Sequence, residues 1–460
     1  MNFTRAMMTT AVLLAPLVVT TAARAAADPA LAKQVLLRSV AFKTVEGEGQ
    51  VPKLAAYYAS VLKDAGFKDA DIVITPMGET ATLAATLKGS DPQLKPIVMI
   101  GHMDVVAAER KDWTRDPFVP VEENGYIFGR GSEDNKYDVA MMVTSLAQLK
   151  REGFAPRRTI ILLLSGDEET QMATTRALAE KYKGAELVLN GDGGGGVIGE
   201  DGKPAMYLLQ AGEKTYADFE IAITDPGGHS SAPTATNPIY RLAKVLDRLG
   251  AYQFPPMANE LTKASMLAGS RRIGGEAGAA MARYAANPKD AEAAAYLSSK
   301  PEFIGQVRTT CVATMLSGGH ALNALPQRAT VSVNCRIFPG VSIESVKAEL
   351  TKVIADDSAT ITTIDKPTGS DASPLRKDVT AAVTKAVQAR YPGLEITPNM
   401  SAGATDSLYF RALGVPSYGV SSLFMKSSDG FAHGLNERVP VDGIAGALGQ
   451  WDSVLKAIAK

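Results

Sequence analysis

Cysteine is almost missing from this sequence: Cys311 and Cys335 are the only two in 460 residues. So few exclude a disulfide-dense scaffold, and neither has the spacing of a metal clip or a catalytic nucleophile. Both fall in strand-like runs, TTCVATML and ATVSVNCRIF, where a bridge between antiparallel neighbours and two buried thiols are the alternative readings. Excess charge is missing too, since Lys+Arg 48 against Asp+Glu 49 leaves a net −1. That speaks against nucleic acid as a partner, and no block of like charge forms an electrostatic tail. Histidine is scarce, with four in the chain. All of them, His102, His229, His320 and His433, fall in polar loops. After the N-terminal stretch no segment is long and apolar enough to span a bilayer. What is present is 46% apolar residues, enough for a sizeable core, in a chain long enough for two domains.

The first residues read as a targeting segment. Arg5 stands in a short charged head, an apolar stretch runs from Ala6 to Val19, and Ala-x-Ala sites end at Ala25 or Ala27. This predicts a secretory signal peptide over residues 1–27 and no stable membrane anchor after cleavage, because the run is short and Pro16 interrupts it. No Cys follows the run, so lipid attachment there is excluded. The mature protein is expected to be periplasmic in a Gram-negative source and secreted otherwise.

Beyond it, helical patterns over about 29–43, 50–66, 137–153 and 172–183 alternate with the strands DIVITP, ATLAATLK, PIVMIGH, TIILLLSG and ELVLNGD. Alternation of this kind predicts an α/β sheet with helices on both faces, and the wholly apolar PIVMI and TIILLL suit its centre. Near residue 213 the pattern changes. Setting aside a polar, Ala-rich helical stretch over about 252–305, the order from 214 to 366 is β-α-β-β-α-β, the ferredoxin-like arrangement. From 367 the α/β pattern resumes. The expected organisation is one α/β domain over 28–213 and 367–460, with a second, ferredoxin-like domain over 214–366 inserted in it. TYADFEIAIT reads as the exposed sheet edge of that insert.

Three strands end in acid or imidazole: PIVMI in Gly101-His102-Met103-Asp104, TIILLL in Asp167-Glu168-Glu169, and ELVLN in Gly191-Asp192. In a parallel sheet these ends share one edge, where ligands gather. Asp134 stands at a helix start, where it could equally be a cap, and His433 lies in the loop Phe431–Glu437. Imidazoles and carboxylates converging from five segments suit one or two zinc ions, and such cations would cancel the repulsion within Asp167-Glu168-Glu169.

His102-x-Asp104, Gly129-Arg-Gly131-x-x-Asp134-x-Lys136, Glu168-Glu169, Asp192, Gly228-His229-Ser-Ser, Asn323-x-x-Pro326 with Arg336, Gly403-x-Thr-Asp406 and His433 occur in that order. The set resembles the co-catalytic zinc hydrolases that include glutamate carboxypeptidase, carboxypeptidase S, the aminoacylases, acetylornithine deacetylase and succinyl-diaminopimelate desuccinylase. The resemblance covers about residues 30–455, and DWTRDPFVP looks most like the carboxypeptidase S and aminoacylase branch. It departs at Tyr137 and Gln171, where the family often has Gly; neither position binds metal.

The resemblance implies two Zn2+ per subunit, with Co2+ or Mn2+ as alternatives. Asp134 would bridge them, His102 and Asp192 would complete one site, and Glu169 and His433 the other. Asp104 would accept from the free ring nitrogen of His102. Glu168 would be the general base and then acid of hydrolysis. Asp167 is either a supporting residue or a turn residue. His229 would hydrogen-bond the oxyanion, in the family often from a partner's lid. Asn323, Arg336 and the backbone around Gly403 would hold a terminal carboxylate. The peptide bond after Asp134 is commonly cis in the family. The implied activity is hydrolysis of an amide next to a free α-carboxylate, in a peptide or an N-acyl amino acid, by a homodimer. The rivals are an N-acyl-amino-acid deacylase, an inactive relative that only binds ligand, and a single-metal aminopeptidase.

Overall fold

The computed structural model describes residues 28–460; the predicted signal peptide lies outside them. Strands Ile97–His102 and Ile160–Ser165 are buried at every position. They run parallel, and Leu187–Asn190 flanks the first on its other side, also parallel. Period-two alternation sends their side chains to two different cores. Met99, Leu162, Leu164 and Leu189 pack under helices Pro29–Val40, Val51–Asp64, Tyr137–Arg151, Lys377–Arg390 and Ile444–Ile458. Val98, Ile100, Ile161 and Leu163 pack on the opposite face with Leu178 and Phe410. That is why these strands carry no polar position until they end. The whole sheet has ten strands and is mixed. Ile72–Met77 and Thr80–Leu87 extend one side antiparallel. On the other side Pro204–Glu213 pairs with Gly195–Ile198 and, in parallel, with Ile396–Ser401.

A second, four-stranded antiparallel sheet follows the β-α-β-β-α-β order. Its spatial order is Thr310–Gly318, Arg328–Ile337, Thr215–Thr224, Ala359–Ile364. Helices Pro238–Ala251 and Ile343–Ile354 close its core around Phe219, Ile221, Val331 and Val333. The expectation that TYADFEIAIT is a sheet edge is wrong: Thr215–Thr224 is an interior strand. Its alternating burial reports one covered face and says nothing about which strands flank it. An exposed edge belongs instead to Thr310–Gly318, and Cys311 on it is disulfide-bonded to Cys335 directly opposite. The Ala-rich stretch forms four helices, Glu260–Ile273, Gly275–Ala286, Ala291–Ser298 and Pro301–Val307, with a small core of their own. Leu261 sits in the larger core, Arg271 pairs with Glu395, and Gln306 donates to the Met400 carbonyl at 3.0 Å. These contacts tie the insert to the first sheet. Among the described residues no helix is long and apolar enough to cross a membrane.

Lys214, fully buried between the two sheets, donates to the Arg308 carbonyl at 2.8 Å. Burial, with Arg336 nearby, pulls its ammonium down to about 7. From there up to its ordinary value the unfolded chain binds the extra proton, so this residue makes stability rise with pH, by up to about 1.4 kcal/mol per unit. Urea unfolding of Lys214→Met between pH 7 and 9 should therefore lose part of the wild-type rise. An unchanged slope would show that this ammonium is not depressed.

Candidate metal centre

His102 is the last residue of its strand and is fully buried. Its Nε2 lies 2.8 Å from Asp134 Oδ1 and 3.9 Å from Asp192 Oδ2. His433 Nε2 lies 2.9 Å from Glu169 and 3.3 Å from Asp134 Oδ2. Asp134 thus turns one oxygen to each imidazole, as a carboxylate between two cations must. It does not act as a helix cap, and the Asp134–Asn135 peptide bond is cis. The strand passes this turn closely: a Cβ on Gly101 would stand 2.6 Å from Asn135 Oδ1, so a larger residue there would have to displace the Asn135 side chain. Ligand atoms of His102, Glu168 and Asp192, and of His102, Asp134 and Glu169, lie within 4.8 Å of one another.

The electrostatics fit bound cations. Burial, the largest cause, pushes Glu168 and Asp192 well above the ordinary carboxylate range, and the neighbouring acids add to it. Burial acts the same way on Asp134, yet the hydrogen bonds and charge of His102 and His433 hold it below that range. Asp134 and Glu169 in turn push His433 up to about 10. Two imidazoles compensate part of four crowded carboxylates. Divalent cations would compensate the rest and keep every acid ionised.

One expected contact is different. His102 Nδ1 meets the backbone carbonyl of Asp104 at 3.0 Å, whereas the Asp104 carboxylate is 3.6 Å away, beyond hydrogen-bond range. That carboxylate instead accepts from the Glu168 and Glu169 amides, at 3.1 and 2.9 Å. Asp104 therefore supports the ring through its main chain and the glutamate turn through its side chain. Asp167 faces away from the cluster and accepts from the Ala173 and Thr174 amides, at 2.8 and 2.9 Å, at the start of helix Ala173–Tyr182.

Several supporting residues are not assigned by the sequence reading. Glu437 is fully buried; its carboxylate pairs with Arg130 at 2.6 Å and accepts from the amides of Gly131, Glu133 and Asp134. Arg130 also donates to the carbonyls of His433 and Gly434, at 3.1 and 3.2 Å. The pair thereby ties the Asp134 turn to the His433 loop. Asp406, buried beside the cluster, accepts from Ser165 at 2.9 Å and from Thr175. Asp138 accepts from Ser421, Ser422 and Trp451 beneath the floor. Arg130 and Asp406 do fall within the quoted motifs, and Asp138 stands out in the sequence as an acid in the apolar first half of its helix.

The cluster opens into a cleft of about 490 Å³ over the paired strands Pro204–Glu213 and Ile396–Ser401, with Glu168, Glu169, Gln306, Ala402 and His433 on its walls. Gly403 lies on its rim between Ala402 and Ala404, and Arg336 donates to the Ala402 carbonyl at 3.2 Å. His229 and Asn323 come together at the small pairing of Gly228–His229 with Ala324–Leu325. Both are exposed, and neither lines this cleft within the single chain.

Residues 98–457 match the family described as Peptidase family M20/M25/M40. The human N-fatty-acyl-amino acid synthase/hydrolase PM20D1 is 28% identical over 368 residues, covering 77% of this chain and 72% of that protein. Carboxypeptidase S of Saccharomyces cerevisiae is 30% identical over 294 residues, covering 60% of this chain and 51% of that one. Among solved structures, an M20 family metallo-carboxypeptidase from Sulfolobus solfataricus superposes with a TM-score of 0.68 at 19% identity, over 93% of this chain and 99% of that one. Human carnosine dipeptidase 1 gives 0.63 at 17%, over 94% and 97%. With a candidate metal-ligand cluster assembled at the strand ends and a match spanning most of the chain, the protein belongs to peptidase family M20/M25/M40 and is a metal-dependent hydrolase.

Proposed function

We propose that the chain is an exported dizinc hydrolase of the carboxypeptidase or dipeptidase type, cleaving an amide next to a free α-carboxylate. The observation that carries this reading is Asp134 shared between His102 and His433, with Glu168 beside them in an open cleft. Asp134, His102 and Asp192 would hold one ion and Asp134, Glu169 and His433 the other, with Co2+ or Mn2+ as alternatives to zinc. Bound there, the ions supply Lewis acidity toward the scissile carbonyl and acidify water. Glu168 takes the proton of the attacking water and passes it to the leaving nitrogen. Its place on the cleft wall beside Asp134, Glu169 and Asp192 suits it to carry that proton between the two steps. Arg336, anchored on the cleft rim through Ala402, supplies a planar fork for the substrate carboxylate. Asn323 assists it, and His229 donates to the oxyanion.

Because His229 and Asn323 stand outside the single-chain cleft, we place them in a partner subunit's cleft. The open edge strand Thr310–Gly318 supports such a dimer, with Val312, Met315 and Leu316 at 60%, 72% and 66% exposure. Light scattering giving a monomer at working concentrations would remove this part of the proposal. Processing near Asp28, read by N-terminal sequencing of exported protein, tests the export.

The second reading is an N-acyl-amino-acid deacylase, which the likeness to the N-fatty-acyl-amino acid synthase/hydrolase favours. Release of free amino acid from matched panels of dipeptides and N-acyl amino acids separates the two. Dipeptide turnover establishes the peptidase, and turnover of acyl amino acids alone establishes the deacylase. Silence on both panels with two metals bound would overturn the substrate class.

A further inference from the structure

The metal cluster borders a second cavity besides the cleft. It has a volume of about 250 Å³ and shares Asp134, Asp192, Gly193, Gly194 and Leu208 with the cleft. The two lie over different parts of the sheet. The cleft extends from Pro204–Glu213 over Ile396–Ser401; the second cavity extends the other way, over Gly195–Ile198 and Phe424–Lys426. Its side-chain floor is the cross-strand pair Val197 and Met425, with Leu208 and Leu423. The glycine run from 193 to 196 adds no side chain to it, and packing keeps its ends glycine: a Cβ on Gly193 would stand 1.7 Å from Gln210 Oε1, and one on Gly196 1.9 Å from the Phe424 ring.

An amide held at the metal cluster has two sides. The cleft side carries Ala402 and, through it, Arg336, the group suited to a carboxylate. We propose that the second cavity receives the other side, the acyl group or N-terminal side chain of the substrate, with Val197 and Met425 setting its size. This rests on the hydrolase reading above. At about 30 Å³ per small heavy-atom group, the cavity holds about eight such groups. Glu133 and Asp138, with Asp134 and Asp192, line its wall and disfavour an acidic occupant. The matching substrate therefore carries a non-acidic acyl group or side chain of moderate length, its apolar part on Val197 and Met425, and a long fatty chain would protrude.

The test measures kcat/KM of the metal-loaded enzyme on acetyl, hexanoyl and decanoyl derivatives of one amino acid, and on the dipeptides with N-terminal Gly and Leu. Val197→Trp should lower hexanoyl and Leu substrates by about tenfold or more while leaving acetyl and Gly substrates within about threefold. Met425→Ala should move the optimum toward decanoyl. Inhibition by the free aliphatic acids should shift in the same order. An active wild type whose two variants keep its chain-length profile, or lose all substrates equally, overturns the pocket alone. A metal-loaded wild type silent on every substrate overturns the substrate class proposed above and the pocket with it.

Discussion

Glu168→Gln is expected to lower kcat by about 10²- to 10⁴-fold with KM little changed, the range for loss of a positioned general base. Glutamine keeps the shape and the backbone bond from residue 168 to Asp104, and removes only the capacity to take a proton. Folding should not suffer, because burial already disfavours this carboxylate and its neighbours Asp192 and Glu169 repel it. Metal content should also hold, since in the proposed assignment His102, Asp134, Asp192, Glu169 and His433 would hold both ions without it. Steady-state kinetics beside metal analysis check the prediction. Activity within tenfold of wild type at full metal occupancy would move the base elsewhere.

The ligand set is legible in the sequence because each member breaks a pattern. Ile160–Ser165 is apolar for burial on both faces, so the acids that follow it stand out. His102 closes a strand that is otherwise fully apolar. The pairing through Asp134 comes only from the family resemblance that the ordered motifs carry. What the sequence hides is geometry set by backbone direction and by distant partners. Whether Asp104 offers His102 its carbonyl or its carboxylate depends on the turn after the strand. The interior place of Thr215–Thr224 depends on which strands arrive later. Glu437 stands four residues from His433 in plain view, but its partner Arg130 is 307 residues away, and only the fold joins them. The place of His229 relative to a cleft depends in turn on an assembly that one chain does not contain.

Glu437→Ala should cost about 3–5 kcal/mol, the price of leaving one member of a buried ion pair behind. Arg130 is 3% exposed and would lose its carboxylate, and the amides of Gly131, Glu133 and Asp134 would lose their acceptor together. The pair itself is not a large source of stability: burial pushes the Glu437 carboxyl up, and the donors around it only pull it part of the way back. Its importance is positional. It holds the turn that aims Asp134 and, through Arg130, the carbonyls flanking His433. Two readouts should therefore separate. The double variant Arg130→Met/Glu437→Leu removes both charges and should recover part of the lost stability, since apolar replacement of a buried pair is often near neutral. It should not recover the second metal ion, because the His433 loop would remain untied. Urea unfolding measures the first quantity and metal content after dialysis the second. Full metal occupancy in the double variant would show that the His433 loop keeps its place without this pair, and would confine Glu437 to a structural role.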